Sequence, residues 1–317
     1  FLDGGSGDDE LYGGSGNDIY IFNRGSGNDL LEDFAEEANG GGDTIRFGPG
    51  IRHDDLIVRQ KGNDLRIGLR EADTPFDDLG DQLRIRNWFS ESSRIESFTF
   101  ADDSTLTAGA MLRYLGTEGN DVVNGFTTDS SFTDSLGDDE FHGREGNDTF
   151  RFGEGGGHDI VTDAGGGDSL VFASGITPGD VHVSWLQGSN TAVLSYGDND
   201  ENTITLTDWY LEDNRIEQIV FEDGTIWTPT EVIDRMGTEG DDVYNGLENV
   251  ENIIHSRGGE DIVSTYAEDD AIYGGAGDDA LDSRQGNDLL VGGEGADLLW
   301  GGSGDDTYLF NRGDGQD

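Results

Sequence analysis

From Ser256 to Leu309 the chain reads SRGGEDIVS, TYAEDDAIY, GGAGDDALD, SRQGNDLLV, GGEGADLLW and GGSGDDTYL, six consecutive nonapeptides without a slip of register. The sixth position is aspartate every time: Asp261, Asp270, Asp279, Asp288, Asp297 and Asp306. The eighth is apolar or aromatic: Val263, Ile272, Leu281, Leu290, Leu299 and Tyr308. Glycines in the first half, among them Gly274, Gly277, Gly292, Gly295, Gly301 and Gly304, permit positive φ and leave the backbone bare. A tight turn can then aim its carbonyl oxygens at one point, and the aspartate adds a carboxylate there. The second half is a three-residue strand whose single inward side chain cannot bury itself, so successive units must stack into a solenoid. Ordinary turn residues would give Asn-Gly or Asp-Gly pairs at varying intervals, not six uninterrupted nines.

Shorter runs of the pattern lie elsewhere. GGSGDDELY from Gly4 and GGSGNDIYI from Gly13 place Asp9 and Asp18 at position six. GTEGND ends at Asp121, LGDDEFH and GREGNDTF carry Asp139 and Asp148, and GTEGDD ends at Asp242. The pattern G-G-x-G-x-D-x-U-x resembles the repeats-in-toxin (RTX) family of calcium-binding β-rolls. The resemblance implies two nonapeptides per coil and ions held between the turns of units two apart, here 256 with 274, 274 with 292, 265 with 283, and 283 with 301. The position-six aspartates are then the bridging ligands. Glu268 replaces the position-four glycine, and Thr265, Tyr266, Ala267, Ser283 and Arg284 replace leading glycines, which leaves the 265 to 283 site open between distorted, empty and filled.

Composition agrees with a cation requirement. Among 317 residues, 68 Asp and Glu face 18 Lys and Arg, for a formal charge of -50; 52 are glycine and none is cysteine. Nucleic acid and anionic membrane surfaces are poor partners for such a chain, because both need basic residues to displace counterions. Thiolate metal sites and disulfides are excluded. Oxygen-rich, sulfur-free chemistry points to a hard divalent ion, calcium before magnesium. The competing reading of the acidity is a halophilic surface, whose folding would follow monovalent salt. No apolar run reaches membrane-spanning length, and no secretory leader opens the chain. Calcium at roughly ten sites would supply about +20 and leave the surface strongly acidic, so a monomer is expected.

A longer period organises the rest. DIYIFNRGSGND (18–29), DTFRFGEGGGHD (148–159) and DTYLFNRGDGQD (306–317) are copies of one motif. After the first two come segments that align with each other: GDTIRFGPGI with GDSLVFASGI, and RNWF…SRIESFTFADD with TDWY…NRIEQIVFEDG. Alternating apolar and polar residues predict strands, with one helical stretch each, TAGAMLRYL and TPTEVIDRM. These segments resemble the haemolysin-type calcium-binding-related domain. The fold expected is all-β, with parallel β-roll blocks at 1–29, 116–159 and 237–317 alternating with small β-rich inserted domains at 30–115 and 160–236. The chain reads as a slice of a longer array.

Motifs suggesting catalysis give way to plainer readings. Gly167-Asp168-Ser169-Leu170 spells a hydrolase nucleophile block, yet the aligned copy is Gly42-Asp43-Thr44-Ile45, so Ser169 reads as a strand start. Five histidines form no zinc-protease motif, and no nucleophile elbow occurs. Arg312-Gly313-Asp314 coincides with the repeat register, and Trp88-Phe89 and Trp209-Tyr210 read as core before sugar platforms. The expectation is a non-enzymatic module of a large RTX protein. By resemblance it is exported from a Gram-negative bacterium by type I secretion and folds on extracellular calcium. It would be adhesin-like, with neighbouring modules and a cell-surface glycan or protein as partners. The alternative is a carbohydrate- or substrate-binding calcium-dependent tail of a secreted enzyme.

Overall fold

The computed structural model describes residues 1–34, 42–186, 189–197 and 201–315; Asp317, the last residue of the third exit motif, lies outside them. The chain forms two compact units, Phe1–Gly116 with Ser130–Thr133, and Thr117–Asp129 with Asp134–Asp317.

The simplest part of the second unit is its C-terminal roll. One sheet stacks Val243–Asn245, Ile262–Ser264, Ala280–Asp282 and Leu298–Trp300; the other stacks Ile253–His255, Ala271–Ala276, Leu289–Glu294 and Thr307–Tyr308. Every pairing is parallel, and Ala280 pairs with Leu298 as Ala271 pairs with Leu289, a return of two nonapeptides per coil. Position eight fills the space between the sheets up to Leu290: Ile254, Val263, Ile272, Leu281 and Leu290 are fully buried, whereas Leu299 is half-buried and Tyr308 exposed. One such side chain stabilises by about 1.5–3 kcal/mol, whereas ordering each residue's backbone costs about 1–2 kcal/mol. Nine residues per buried side chain is a thin core.

In the rest of the chain the inserted segments add to the core, and their strands hydrogen-bond into the sheets begun by the nonapeptide strands before them. In the first unit, Leu2–Asp3, Ile19–Phe22, Thr44–Phe47 and Ser97–Thr99 pair in parallel, and Thr105–Thr107 closes the sheet antiparallel. Opposite it, Glu10–Tyr12, Asn28–Glu32 and Gln82–Ile85 are parallel, followed by an antiparallel hairpin, Leu56–Lys61 and Asp64–Leu69. The second unit repeats this design. Glu140–His142, His158–Thr162 and Asn202–Thr207 are parallel, with Ala192–Tyr196 and Val181–Trp185 added antiparallel. Thr149–Phe152, Ser169–Phe172 and Gln218–Val220 form the other side, ended by Ile226–Trp227.

Matched residues do matched work in the two copies. Trp88 and Trp209 are fully buried, and their indole N–H groups donate to the carbonyls of Ile95 (2.9 Å) and Ile216 (3.2 Å). Phe47 stacks on Phe100 at 5.0 Å and Phe172 on Phe221 at 5.2 Å. The helical stretches are short, Ala108–Met111 and Pro229–Asp234. Thr107 caps the first by accepting the Ala110 N–H, and a Thr228–Glu231 capping box starts the second. Among the described residues, no helix is long and apolar enough to cross a membrane.

Candidate metal centres

The position-six aspartates form ladders. In each case Oδ1 accepts the backbone N–H of the position-six residue one coil earlier: Asp279 from Asp261 (3.0 Å), Asp297 from Asp279 (2.9 Å), Asp288 from Asp270 (2.8 Å) and Asp306 from Asp288 (3.2 Å). Asp261 accepts from Asp242 at 2.8 Å and Asp139 from Asp121 at 2.8 Å. One oxygen is thus committed to the fold. The other differs along the ladders: Oδ2 of Asp9, Asp261, Asp270, Asp279 and Asp288 is buried without a hydrogen-bond partner, whereas Oδ2 of Asp139 accepts from the Ser135 hydroxyl (2.9 Å), and Oδ2 of Asp121 and Asp242 accepts the N–H of Thr117 and Thr238, both at 2.6 Å. A buried carboxylate oxygen left without a partner is costly unless a cation meets it.

Burial pushes the Asp279 carboxyl up to about 6, against hydrogen bonding from the Asp261 N–H. Burial likewise raises Asp261 and Asp270 above the usual carboxylate range.

The predicted glycines divide into two roles. At position four, Gly277, Gly295 and Gly304 have φ of 130°, 148° and 139°, the left-handed region that L-residues avoid. At position one the need is space: a Cβ on Gly274, Gly292 or Gly301 would collide with the carboxylate of Asp279, Asp297 or Asp306 in the same turn. The irregular units keep the turn shape by other means. Glu268 holds φ of 79° where its neighbours have glycine, and Arg257 and Arg284 adopt 77° and 64°. Hydroxyls at position one donate to the next coil's position-one carbonyl, Ser256 to Gly274 (2.8 Å), Thr265 to Ser283 (3.3 Å) and Ser283 to Gly301 (3.1 Å).

Position five is instructive by contrast. Its side-chain oxygen also accepts an N–H from the next coil, and here either Asn or Asp serves: Asn287 accepts from Asp305 (3.0 Å) as Asp278 does from Ala296 (2.9 Å). A neutral amide suffices there. At position six the exception is Asn252. Its N–H donates to Asp270 Oδ1 (2.7 Å), as the ladder requires, but its amide nitrogen also donates to Leu247 O (3.1 Å), Val250 O (2.8 Å) and Asp270 Oδ1 (2.9 Å). An internal donor thereby gathers the oxygens of this turn.

Sequence reading missed several ladder members. Asp29 and Asp159 accept from Asp9 (3.1 Å) and Asp139 (2.9 Å); each is position six of a unit hidden in the exit motif, RGSGNDLLE and EGGGHDIVT. Asp43 and Asp168 accept from Asp18 and Asp148, both at 2.7 Å. Glu96 and Glu217 then end the ladders, accepting the N–H of Asp43 (2.7 Å) and Asp168 (2.5 Å). The signal for these glutamates was the shared R-I-E of the two segments. Ser169 opens a strand beside Thr149, as expected of a strand start.

All-oxygen donors in stacked glycine turns define a calcium-binding parallel β-roll. Comparison with known families agrees: the RTX calcium-binding nonapeptide repeat matches residues 1–31, 125–161, 255–290 and 283–316, and the haemolysin-type calcium binding protein related domain matches 55–109 and 193–231. The chain is an RTX haemolysin-type calcium-binding protein, and its repeats bind several calcium ions. A search of curated proteins finds no match. Among solved structures, extracellular lipase LipA from Serratia marcescens is similar at 19% identity and TM-score 0.26, over 69% of this chain and 38% of that one. So loose a superposition bears on nothing further.

Proposed function

We propose that this chain is a calcium-dependent structural and presentation module of a large secreted RTX protein, adhesin-like, with the position-six aspartates and turn glycines named above as its ligand set. The observation that carries this reading is the row of buried carboxylates with one oxygen unpartnered. Divalent ions at these oxygens would supply the stabilisation that the thin apolar core of the repeats lacks. Binding to the native state alone stabilises it by RT ln(1 + [L]/Kd) per site, so the fold would follow calcium supply, low inside a cell and high outside. The five-segment organisation, three rolls and two inserted domains, belongs to the same proposal, as do export by type I secretion from a Gram-negative bacterium and a monomeric state. Partners would be adjoining modules of the parent protein and a cell-surface glycan or protein.

Nothing in this reading requires catalysis by the chain itself. A substrate-binding tail of a secreted enzyme is the competing role. A glycan array probed with the calcium-loaded chain separates them: chelator-sensitive binding of cell-surface glycans supports adhesion, and binding confined to an enzyme's polymeric substrate supports the tail.

A further inference from the structure

Regular turns begin with glycine, but two turns at the start of inserted segments begin with aspartate. His142 pairs with Thr162, so Gly143 and Asp163 occupy the same place on successive coils. The Asp163 carboxylate reaches back into the space that Gly143 leaves bare; a Cβ there would collide with Asp163 Oδ1 and stand 2.5 Å from Asp148 Oδ2. Asp148, Asp163 and Asp168 are 1%, 2% and 0% exposed, and each offers an oxygen within 4.8 Å of the others. Part of this set is already used: Asp168 Oδ1 accepts the Asp148 N–H (2.7 Å), and Asp163 Oδ2 accepts the Gly165 N–H (2.9 Å). Oδ1 of Asp163 and Oδ2 of Asp168 are buried and accept from no N–H or hydroxyl; the two carboxyls lie against each other, and burial raises both.

The first unit repeats the arrangement with Asp18, Asp33 and Asp43. Gly13 stands one coil before Asp33, and a Cβ on it would lie 2.8 Å from Asp18 Oδ2 and 2.9 Å from Asp33 Oδ2. Here the Tyr20 hydroxyl donates to Asp33 at 2.5 Å; Phe150 holds the matching place in the second unit and donates nothing.

We propose that Asp163 adds a third carboxylate to the turn site of the ladder aspartates Asp148 and Asp168, making a three-carboxylate calcium site where other turns offer one aspartate from each coil. This rests on the calcium reading above. Calcium affinity rises with the number of charged ligands, so this site belongs to the tightest class of the second unit, together with Asp134, Asp139 and Asp159, whose oxygens also lie within 4.8 Å of one another. It pins the coil from which the inserted segment departs to the nonapeptide coil before it. Asp18, Asp33 and Asp43 form its counterpart in the first unit.

The test is calcium competition against a chromophoric chelator near neutral pH, on the full chain and on Asp163→Gly, which restores the residue that regular turns carry. The expected result is one ion fewer in the tightest class, or at least a ten-fold weaker dissociation constant for that ion, with the remaining ions still bound. Asp33→Gly should remove a different ion, additively. An unchanged count and unchanged tightest affinity in Asp163→Gly would overturn the three-carboxylate site while leaving the turn sites standing. No calcium bound by the unmodified chain would overturn the wider reading. Should Asp163→Gly not fold, Asp163→Asn keeps the shape, removes the charge and is judged by the same count.

Discussion

The backbone N–H of Asp261 donates to Oδ1 of Asp279, one coil on, at 3.0 Å, while Oδ2 of Asp279 is buried without a partner. The two oxygens of one carboxylate are thus placed for separate work, one joining coils and the other open to the cation proposed for this turn. Replacing the carboxylate by an amide should separate the two roles. Asp279→Asn keeps an acceptor for Asp261 and loses the charge, so the calcium midpoint for folding should rise by roughly ten-fold. Asp278→Asn, at the exposed position five where Asn already serves, should leave the midpoint unchanged. Parallel calcium titrations of both variants check this.

Asn252 offers the reverse experiment. Its amide donates to Leu247 O and Val250 O, oxygens that a cation would otherwise collect. Asn252→Asp removes those donors and adds a charge, and should raise the number of bound calcium ions by one, as counted by isothermal titration. In the calcium-free state the same variant should be less stable, because the two carbonyls lose their partner.

Backbone conformation gives a paired prediction. Gly277 has φ of 130°, and a Cβ on it would collide with the Gly259 carbonyl; Gly277→Ala should destabilise the calcium-loaded roll by more than 2 kcal/mol, an order-of-magnitude figure for left-handed strain plus overpacking. Glu268 sits at φ of 79° in the equivalent place of its own turn. Glu268→Gly should relieve strain and stabilise by up to about 1 kcal/mol. Thermal unfolding in saturating calcium reads both.

The sequence carried the roll because its signal is local and periodic. Nine-residue spacing fixed the turn, the strand and the inward side chain of Val263 or Leu281 without knowledge of anything distant. What it did not reveal is held by long returns: Thr44 pairs with Ser97, and Asn28 with Gln82, across loops with no fixed length. Asp43 and Asp168 therefore carried no local sign of ladder membership, and neither did Glu96 and Glu217. Asp33 and Asp163 were hidden for a different reason. Each replaces the glycine that the pattern looks for, so the departure that adds a carboxylate also erases the motif.

Protonation should oppose calcium. Burial raises Asp279 and Asp159 to about 6 and Asp43 to about 7 in the folded chain, above the usual value near 4 for an unfolded aspartate. Between those limits the folded, calcium-free chain binds more protons than the unfolded one, so its stability falls as pH rises from about 4 to about 7. Calcium needs the ionised carboxylates, so the calcium midpoint should climb as pH is lowered from 8 to 5. Circular dichroism titrations at a series of pH values should show residual strand structure in acid without calcium, and its loss at neutral pH.

The most direct test of the central claim is a calcium titration of the chain from EDTA, followed by far-UV circular dichroism, with magnesium and sodium chloride as parallel series. The account predicts a cooperative gain of β signal with calcium that neither magnesium nor sodium chloride reproduces at equal ionic strength. Strand content unchanged by EDTA, or restored equally by sodium chloride, would contradict it.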